Sequence, residues 1–425
     1  MSRSNEPTTK PKRSRPARVR QRGSILDLFA GAGGWEEGLR PLGLSALGVE
    51  CDSSACETAQ AAGHARLQAD LATLDPQDFA PVWGLIGSPP CQAYSTAGKG
   101  LGALDKPLVI ACAHELAAGN DSRTAWQEGC RDARSLLTVE PLRFALALRP
   151  RWVALEQVPP VLELWSLFAQ LLATHGYHTA AGILRAECYG VPQTRRRAFL
   201  IASLDGPVSL PEPTHRSYDA RRRETPAEEI DLLPWVSMAE ALGFQQGGRV
   251  DTNNQTCGGT RPRGSSRPLL APAHTLDTAS GSWTFTRTRG SCRDRAASAQ
   301  PSHFDSRQRR TRPRPISKPA PTLLASGLAN GAAVWTRERP ATTVACDPRI
   351  MPPGAKRCAT RPDAPGRSEG AVRVTVAQAA LLQGFPADYP WQGSRARQFQ
   401  QIGNAVPPPL ARRVLEAAIT PGGAS

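Results

Sequence analysis

Gly87-Ser88-Pro89-Pro90-Cys91-Gln92-Ala93-Tyr94-Ser95 follows the short apolar run Pro81-Val82-Trp83-Gly84-Leu85-Ile86, and this junction decides how the chain is read. An apolar run of that length, stopped by glycine and two prolines, reads as a buried strand. Neither proline can donate to a ladder, so the chain turns abruptly and displays the Cys91 thiol at the strand's carboxyl end. In open α/β sheets that edge is where ligands bind. Cysteine is the most nucleophilic ordinary side chain near neutral pH, so the turn is a place for covalent chemistry. Taken alone, Cys91 reads equally well as a small buried hydrophobe.

Other strand ends carry chemistry in the same way. Ser24-Ile25-Leu26-Asp27-Leu28 reads as a strand that enters the turn Phe29-Ala30-Gly31-Ala32-Gly33-Gly34 and then an amphipathic helix from Trp35. Glycines let a ligand approach the backbone at a helix start, although the spacing is not G-x-G-x-x-G. The run Ala46-Leu47-Gly48-Val49 ends in Glu50, nineteen residues after Gly31, where an acid can accept hydrogen bonds from ribose hydroxyls. Asp70, after Leu67-Gln68-Ala69, can accept from an exocyclic amine or simply cap a helix. Arg151-Trp152-Val153-Ala154-Leu155 reads as a strand carrying Glu156 at its end, a proton donor if it shares a crevice with the thiol. Before the strand Ala198-Phe199-Leu200-Ile201, alternate arginines Arg195 and Arg197 share one face of an extended chain and can hold a base carbonyl or a phosphate.

With 425 residues the chain is long enough for two domains. Its net charge of +15 is unevenly spread: residues 1–22 carry +7 and residues 251–367 carry +13, so the rest is acidic. Two basic regions on an acidic body point to a polyanionic partner, nucleic acid above all. Ten cysteines without a C-x-x-C pair argue against a zinc ribbon, and no metal site is expected. No apolar run approaches the eighteen residues of a membrane span, and no signal peptide is read, so reduced thiols in a cytoplasm are expected.

Residues 1–22 hold too little apolar surface to bury and read as a disordered basic arm. After Cys91, glycines at 98, 100 and 102 open a stretch without clear helical periodicity, read as a flexible lid, until a helix that runs from Asp132 to about Leu148. From 205 to 370 Gly, Pro, Ser, Thr and Arg dominate, and Pro-Ala-x-Thr-Leu/Val recurs at 272–276, 319–323 and 340–344, read as short β segments in long loops. Order returns with a capped helix in Val374-Thr375-Val376-Ala377-Gln378-Ala379-Ala380-Leu381-Leu382-Gln383-Gly384-Phe385-Pro386, and a last helix is expected near 409–418.

The blocks DLFAGAGG, VECD, GSPPCQAYS, EQVP, QTRRR, TVAQAALLQGFP and QIGNAVPP, in this order, resemble the cytosine-C5 DNA methyltransferases over residues 24–418, apart from 205–370. The resemblance implies an α/β fold: a doubly wound, Rossmann-like class I methyltransferase sheet, with a smaller, mostly irregular or β target-recognition domain inserted before the C-terminal motifs. The corresponding division is 23–205 catalytic, 206–370 target recognition and 371–425 returning to the catalytic domain. It further implies S-adenosyl-L-methionine as cofactor and double-stranded DNA as substrate, a cognate restriction endonuclease as candidate partner, no membrane, and a monomer. Carried over by residue, Phe29 lies against the adenine, Glu50 binds the ribose, Asp70 meets the adenine amine, and Gly31, Gly33, Pro90 and Asn404 complete the cofactor site. Cys91 attacks C6 of a flipped cytosine, Glu156 holds or protonates N3, and Arg195 and Arg197 support the base. Gln193 and Asn404 organise the cofactor and the domain junction. Three positions depart from the family pattern: Ser88 for Gly, Gln157 for Asn and Gln378 for Glu. Gln157, being longer, is expected to threaten the placement of the Pro-Pro-Cys loop, and about thirty residues, 98–131, are extra. An RNA cytosine-C5 methyltransferase of the same fold and an inactive DNA-binding relative are the alternatives, the latter opposed by intact Cys91 and Glu156.

Overall fold

The computed structural model describes residues 24–94, 101–219, 224–243, 249–254, 263–268, 283–284, 320–321, 334–335, 372–373 and 375–422. The basic arm at 1–22 and most of 206–370, two of the three Pro-Ala repeats included, lie outside the described residues.

Seven strands form the central sheet: β1 (Ser24–Leu28), β2 (Leu47–Glu50), β3 (Ala65–Gln68), β4 (Val82–Gly87), β5 (Trp152–Gln157), β6 (His178–Arg185) and β8 (Arg196–Ser203), with the two-residue β7 (Gln193–Thr194) outside it. Their order is β3-β2-β1-β4-β5-β8-β6. All pairs from β3 to β5 are parallel, whereas β8 runs antiparallel to both β5 and β6. The chain winds outward from β1 in one direction and from β4 in the other, so the loops after these two strands separate at the sheet's carboxyl edge and leave a crevice. This is the doubly wound sheet expected from the sequence.

Both faces are covered, which is why the strands read as continuous apolar runs. Alternation divides them: Leu26, Leu28, Leu85, Val153 and Leu155 pack with helices α5 (Glu140–Leu148) and α6 (Leu162–Thr174). Ile25, Ile86, Trp152 and Ala154 pack on the other face with α1 (Gly34–Leu39) and the last helix, α10 (Pro408–Ile419). The helix expected from Trp35 is therefore not amphipathic. All six residues of α1 are buried, Glu36 and Glu37 included, because α10 closes over them.

The stretch after Cys91 also differs from the lid expected there. Residues 101–129 fold into α3 (Leu101–Ala117) and α4 (Arg123–Gly129), separated from α1 by the short helix α2 (Ser53–Ala61) and the strands above. Val109, Cys112, Ala113 and Leu116, spaced by three and four, bury one face of α3 in the core shared with α5 and α6. Ion pairs tether it further: Lys106 Nζ to Glu163 at 2.7 Å from α3, and Arg123 Nη1 to Glu140 at 2.5 Å from α4. Gly102 and Pro107, both poor helix formers, lie inside α3, and Gly102 is needed because a Cβ there would stand 2.8 Å from the Ala93 carbonyl oxygen.

Beyond β8 come α7 (Met238–Leu242) and a three-stranded antiparallel sheet of β9 (Arg249–Asn254), β10 (Arg263–Pro268) and β11 (Trp283–Thr284). Strand β12 (Ala320–Pro321) pairs with β7, and β13 (Val334–Trp335) with β14 (Val372–Arg373). Helices α8 (Val376–Gln383) and α9 (Arg395–Asn404) precede α10.

Candidate active site

The turn after β1 is built from unusual backbone. Phe29 (φ 58°), Gly31 (φ 56°) and Gly33 (φ 109°) all take positive φ. For the two glycines this costs little; for an aromatic residue it is strain, which persists where the surroundings over-determine it. Gly33 is further constrained, since a Cβ would stand 2.5 Å from the Tyr389 hydroxyl. Around Gly31 nothing lies within 4 Å of the Cβ position, so the turn borders open space. Glu50 fixes the turn to the end of β2: its Oε2 accepts from the Gly31 N–H at 2.9 Å and its Oε1 from Cys51 and Asp52 N–H, both at 2.8 Å. Asp70 is exposed and caps the short helical turn Leu71–Thr73, its Oδ1 accepting from Ala72 N–H at 3.1 Å, which leaves the other oxygen open.

From β4 the chain enters its Pro-Pro turn with the Ser88 N–H donating to the Leu28 carbonyl at 3.1 Å, so the two loops leave the sheet side by side. Gln157, at the end of β5, donates from Nε2 to the Pro89 carbonyl at 2.7 Å and accepts at Oε1 from Val158 N–H at 2.6 Å. Pro90 and Cys91 are half-buried at the apex, and Tyr94 N–H closes the turn onto the Cys91 carbonyl at 3.0 Å. Burial pushes the Cys91 thiol above the ordinary cysteine range; the Arg197 guanidinium opposes that rise, the Glu156 carboxylate adds to it, and Arg195 opposes it again. All three side chains therefore lie within electrostatic reach of the sulfur.

Glu156 of β5 and Arg197 of β8 form an ion pair, Nε to Oε1 at 3.0 Å, both nearly buried, although Glu156 stands opposite Phe199 in the antiparallel register. Arg195 and Arg197 are buried while Arg196 between them is exposed, as alternation on an extended chain requires. Arg195 is 1% exposed and donates from Nη1 to the Gly403 carbonyl at 3.0 Å; desolvation, then its neighbour Arg197, depresses its pKa. Gln193 donates to Leu382 O at 3.2 Å and to Gln383 Oε1 at 2.7 Å, and Gln383 passes the link to Ala405 O at 2.5 Å. Asn404 contributes no side chain to this junction. It ends α9 exposed, with no side-chain hydrogen bond among the described residues, and its neighbours Gly403 and Ala405 carry the junction through their backbones.

These loops gather Phe29, Gly31, Glu50, Cys91, Glu156, Arg195 and Arg197 at one edge of the sheet. The family model described as C-5 cytosine-specific DNA methylase matches residues 23–420. This chain belongs to the C-5 cytosine-specific DNA methylase family. Among curated relatives, the type II methyltransferase M.DdeI of Desulfomicrobium norvegicum is 28% identical, with 92% of this chain and 88% of the relative covered. The type II methyltransferase M1.HphI of Haemophilus parahaemolyticus is 25% identical, with 93% and 86% covered. Among solved structures, the Dnmt2 methyltransferase of S. pombe shares the fold with a TM-score of 0.50 at 12% identity, covering 95% of this chain and all of that one. The methyltransferase EhMeth of Entamoeba histolytica also scores 0.50 at 12% identity, covering 94% and 98%. The protein is a DNA cytosine-5 methyltransferase that uses S-adenosylmethionine. No helix among the described residues is long and apolar enough to cross a membrane.

Two departures from the methylase pattern are absorbed locally. Gln157 is tied into the Pro-Pro-Cys turn by bonding both Pro89 and Val158. Gln378 completes a capping box on α8 with Thr375, the two reciprocal bonds measuring 3.0 and 3.1 Å, and glutamine serves there as glutamate does. Arg66 was not legible as part of the methylase site. Its fully buried guanidinium donates to the Gly31 carbonyl at 3.2 and 3.3 Å and pairs with Glu36, thereby holding the glycine turn from below. A single arginine in a short strand gives no spacing signal for such a contact.

Proposed function

We propose that Cys91 is the nucleophile of this methyltransferase and Glu156 the group that serves N3 of the target cytosine. The observation carrying the reading is the convergence of the half-buried Cys91 thiol, Glu156 and Arg197 where β4 and β5 end and the antiparallel β8 begins. Cytosine C5 is a poor nucleophile. Addition of the Cys91 sulfur to C6 moves the electron pair of the C5–C6 bond toward C5 while a proton at N3 absorbs the charge. Arg197 occupies Glu156 Oε1, so Oε2 is the oxygen available to N3. With its thiol held above the ordinary range, Cys91 gives up its proton as it attacks, the gain of one proton at N3 beside Glu156 balancing that loss, and Arg197 and Arg195 supply the field that favours thiolate. After methyl transfer a base, expected to be water, removes the C5 proton, and the C6–S bond breaks to return the thiolate. Because C6 is hidden in a paired base, the cytosine must leave the stack first.

The residues present fit S-adenosylmethionine. The glycine turn borders open space at Gly31, Phe29 is strained into position beside it, and Glu50 presents a carboxylate at the end of β2. Phe29, Gly31, Gly33, Glu50, Asp70, Pro90 and Asn404 are the residues that would hold it. Bound there, the cofactor supplies an electrophilic methyl group. Residues 206–370 choose the DNA sequence, supported by the +13 charge of 251–367 and its lack of family blocks. A restriction endonuclease partner is supported by the type II names of the relatives.

Duplex DNA with 5-fluorocytosine at the target position tests the nucleophile, because fluorine blocks elimination and leaves a denaturation-resistant adduct. The wild type should form it and Cys91→Ser should not. An adduct that survives the substitution overturns the assignment.

A further inference from the structure

The Cys91 turn is braced from its far side by a carboxylate that the chemistry above does not use. Asp105, in the first turns of α3, is 1% exposed. Its Oδ1 accepts from Arg131 N–H at 2.9 Å, and its Oδ2 from Asp132 N–H at 3.0 Å and from the Ser135 hydroxyl at 2.7 Å. Burial alone would raise its pKa, but the Ser135 hydroxyl and the two backbone N–H groups outweigh that and hold it below the ordinary value, so it is ionised at neutral pH. Ser135 in turn offers its carbonyl to the Tyr94 hydroxyl at 3.1 Å. Tyr94 closes the turn that begins at Cys91, and Gly102 N–H, three residues before Asp105, donates to the Ala93 carbonyl at 2.9 Å. A closed circuit of contacts thus runs from Cys91 through Tyr94, Ser135 and Asp105 and back through Gly102 to Ala93.

We infer that Asp105 is a positioning residue for the nucleophile, holding the Cys91 turn through Ser135 and Tyr94; this rests on the reading of Cys91 as the attacking group. An anionic acceptor of three donors fixes the separation between α3 and the 131–135 segment more tightly than neutral bonds would. The turn between them inherits that placement, and a small displacement of an attacking atom is enough to slow attack markedly. The helical segment 101–129 acquires a purpose: it carries the brace.

The test is the rate at which the full-length enzyme forms the adduct with 5-fluorocytosine duplex at saturating S-adenosylmethionine, per competent enzyme counted from the adduct end-point. Asp105→Asn turns an acceptor into a group facing donors, and should slow adduct formation about tenfold, with the KM for DNA unchanged. Tyr94→Phe removes one hydroxyl from an otherwise intact turn and should slow the same step. Because both act on one circuit, the double variant should be slowed by less than the product of the two effects. Rates per competent enzyme within twofold of wild type, or losses that multiply, overturn the inference. If that occurs while Cys91→Ser still forms no adduct, the brace is refuted and the nucleophile assignment stands.

Discussion

The Trp35 indole Nε1 donates to the Ser88 hydroxyl at 2.8 Å, joining the first helix after the glycine turn to the residue that opens the Pro-Pro-Cys turn. Ser88 stands where the methylase pattern has glycine, so in this chain a side chain bonds the cofactor loop to the nucleophile loop. Trp35 is 2% exposed, and its indole N–H has no other acceptor among the described residues. Ser88→Ala should leave that donor buried and unpaired, at a cost of about 1 to 3 kcal/mol. Denaturant unfolding measures it: a lower midpoint at unchanged slope is expected, with methylation retained because no reacting group is touched.

Gln157 should matter more to rate than to stability. Its amide is what ties the Pro89 carbonyl to β5. Gln157→Ala releases the turn two residues before Cys91, and single-turnover methylation should slow by about tenfold, equivalent to one lost bond of roughly 1.4 kcal/mol. Cofactor affinity by calorimetry should be unchanged, since Glu50 and the glycine turn are not involved. A rate equal to wild type would show that the prolines place the thiol unaided.

The strand-end placement of the candidate site residues was legible in the sequence. Glu50, Cys91 and Glu156 are each the terminal or near-terminal residue of a short apolar run, and such runs are set by local pattern. Asp70 had two local readings, and the helix cap is present. Arg66 and Glu36 are thirty positions apart and meet only because β3 comes to lie beyond β2, a tertiary fact without local signature. Helix α3 was hidden for a different reason. Its buried positions 109, 112, 113 and 116 have helical spacing, but the glycines at 98, 100 and 102 drew the reading toward a flexible loop, and what holds the helix is burial against the core.

Cys91 should be slow to alkylate at neutral pH. Its thiol lies above the ordinary cysteine value, mainly through burial, so the thiolate fraction of the free enzyme keeps rising past pH 9. Iodoacetamide inactivation of the wild type should rise about tenfold per pH unit from 7 to 9 without levelling. Arg197→Ala removes the largest opposing influence, and should move the profile to still higher pH. A plateau below pH 8 in the wild type would contradict the placement of the thiol.

The last expectation concerns Asp27, the penultimate residue of β1 and fully buried. Burial and then the neighbouring Glu36 carboxylate raise its pKa well above the ordinary value, Arg66 opposing, so two carboxyls share the neighbourhood of one guanidinium. One proton held between the acids leaves the group neutral and offers a partner to Asp27 and Glu36 oxygens that otherwise have none. The sign of the pH dependence follows. Above about pH 4 the unfolded chain has released the Asp27 proton while the folded protein keeps it, so folding takes up a proton and stability falls as pH rises, until the raised folded value is passed. Asp27→Asn is neutral in both states and removes this dependence. The melting temperature of the variant relative to wild type should therefore climb between pH 5 and pH 8. A difference that stays constant over that range would mean that Asp27 is ionised beneath the glycine turn, with Arg66 shared between two carboxylates.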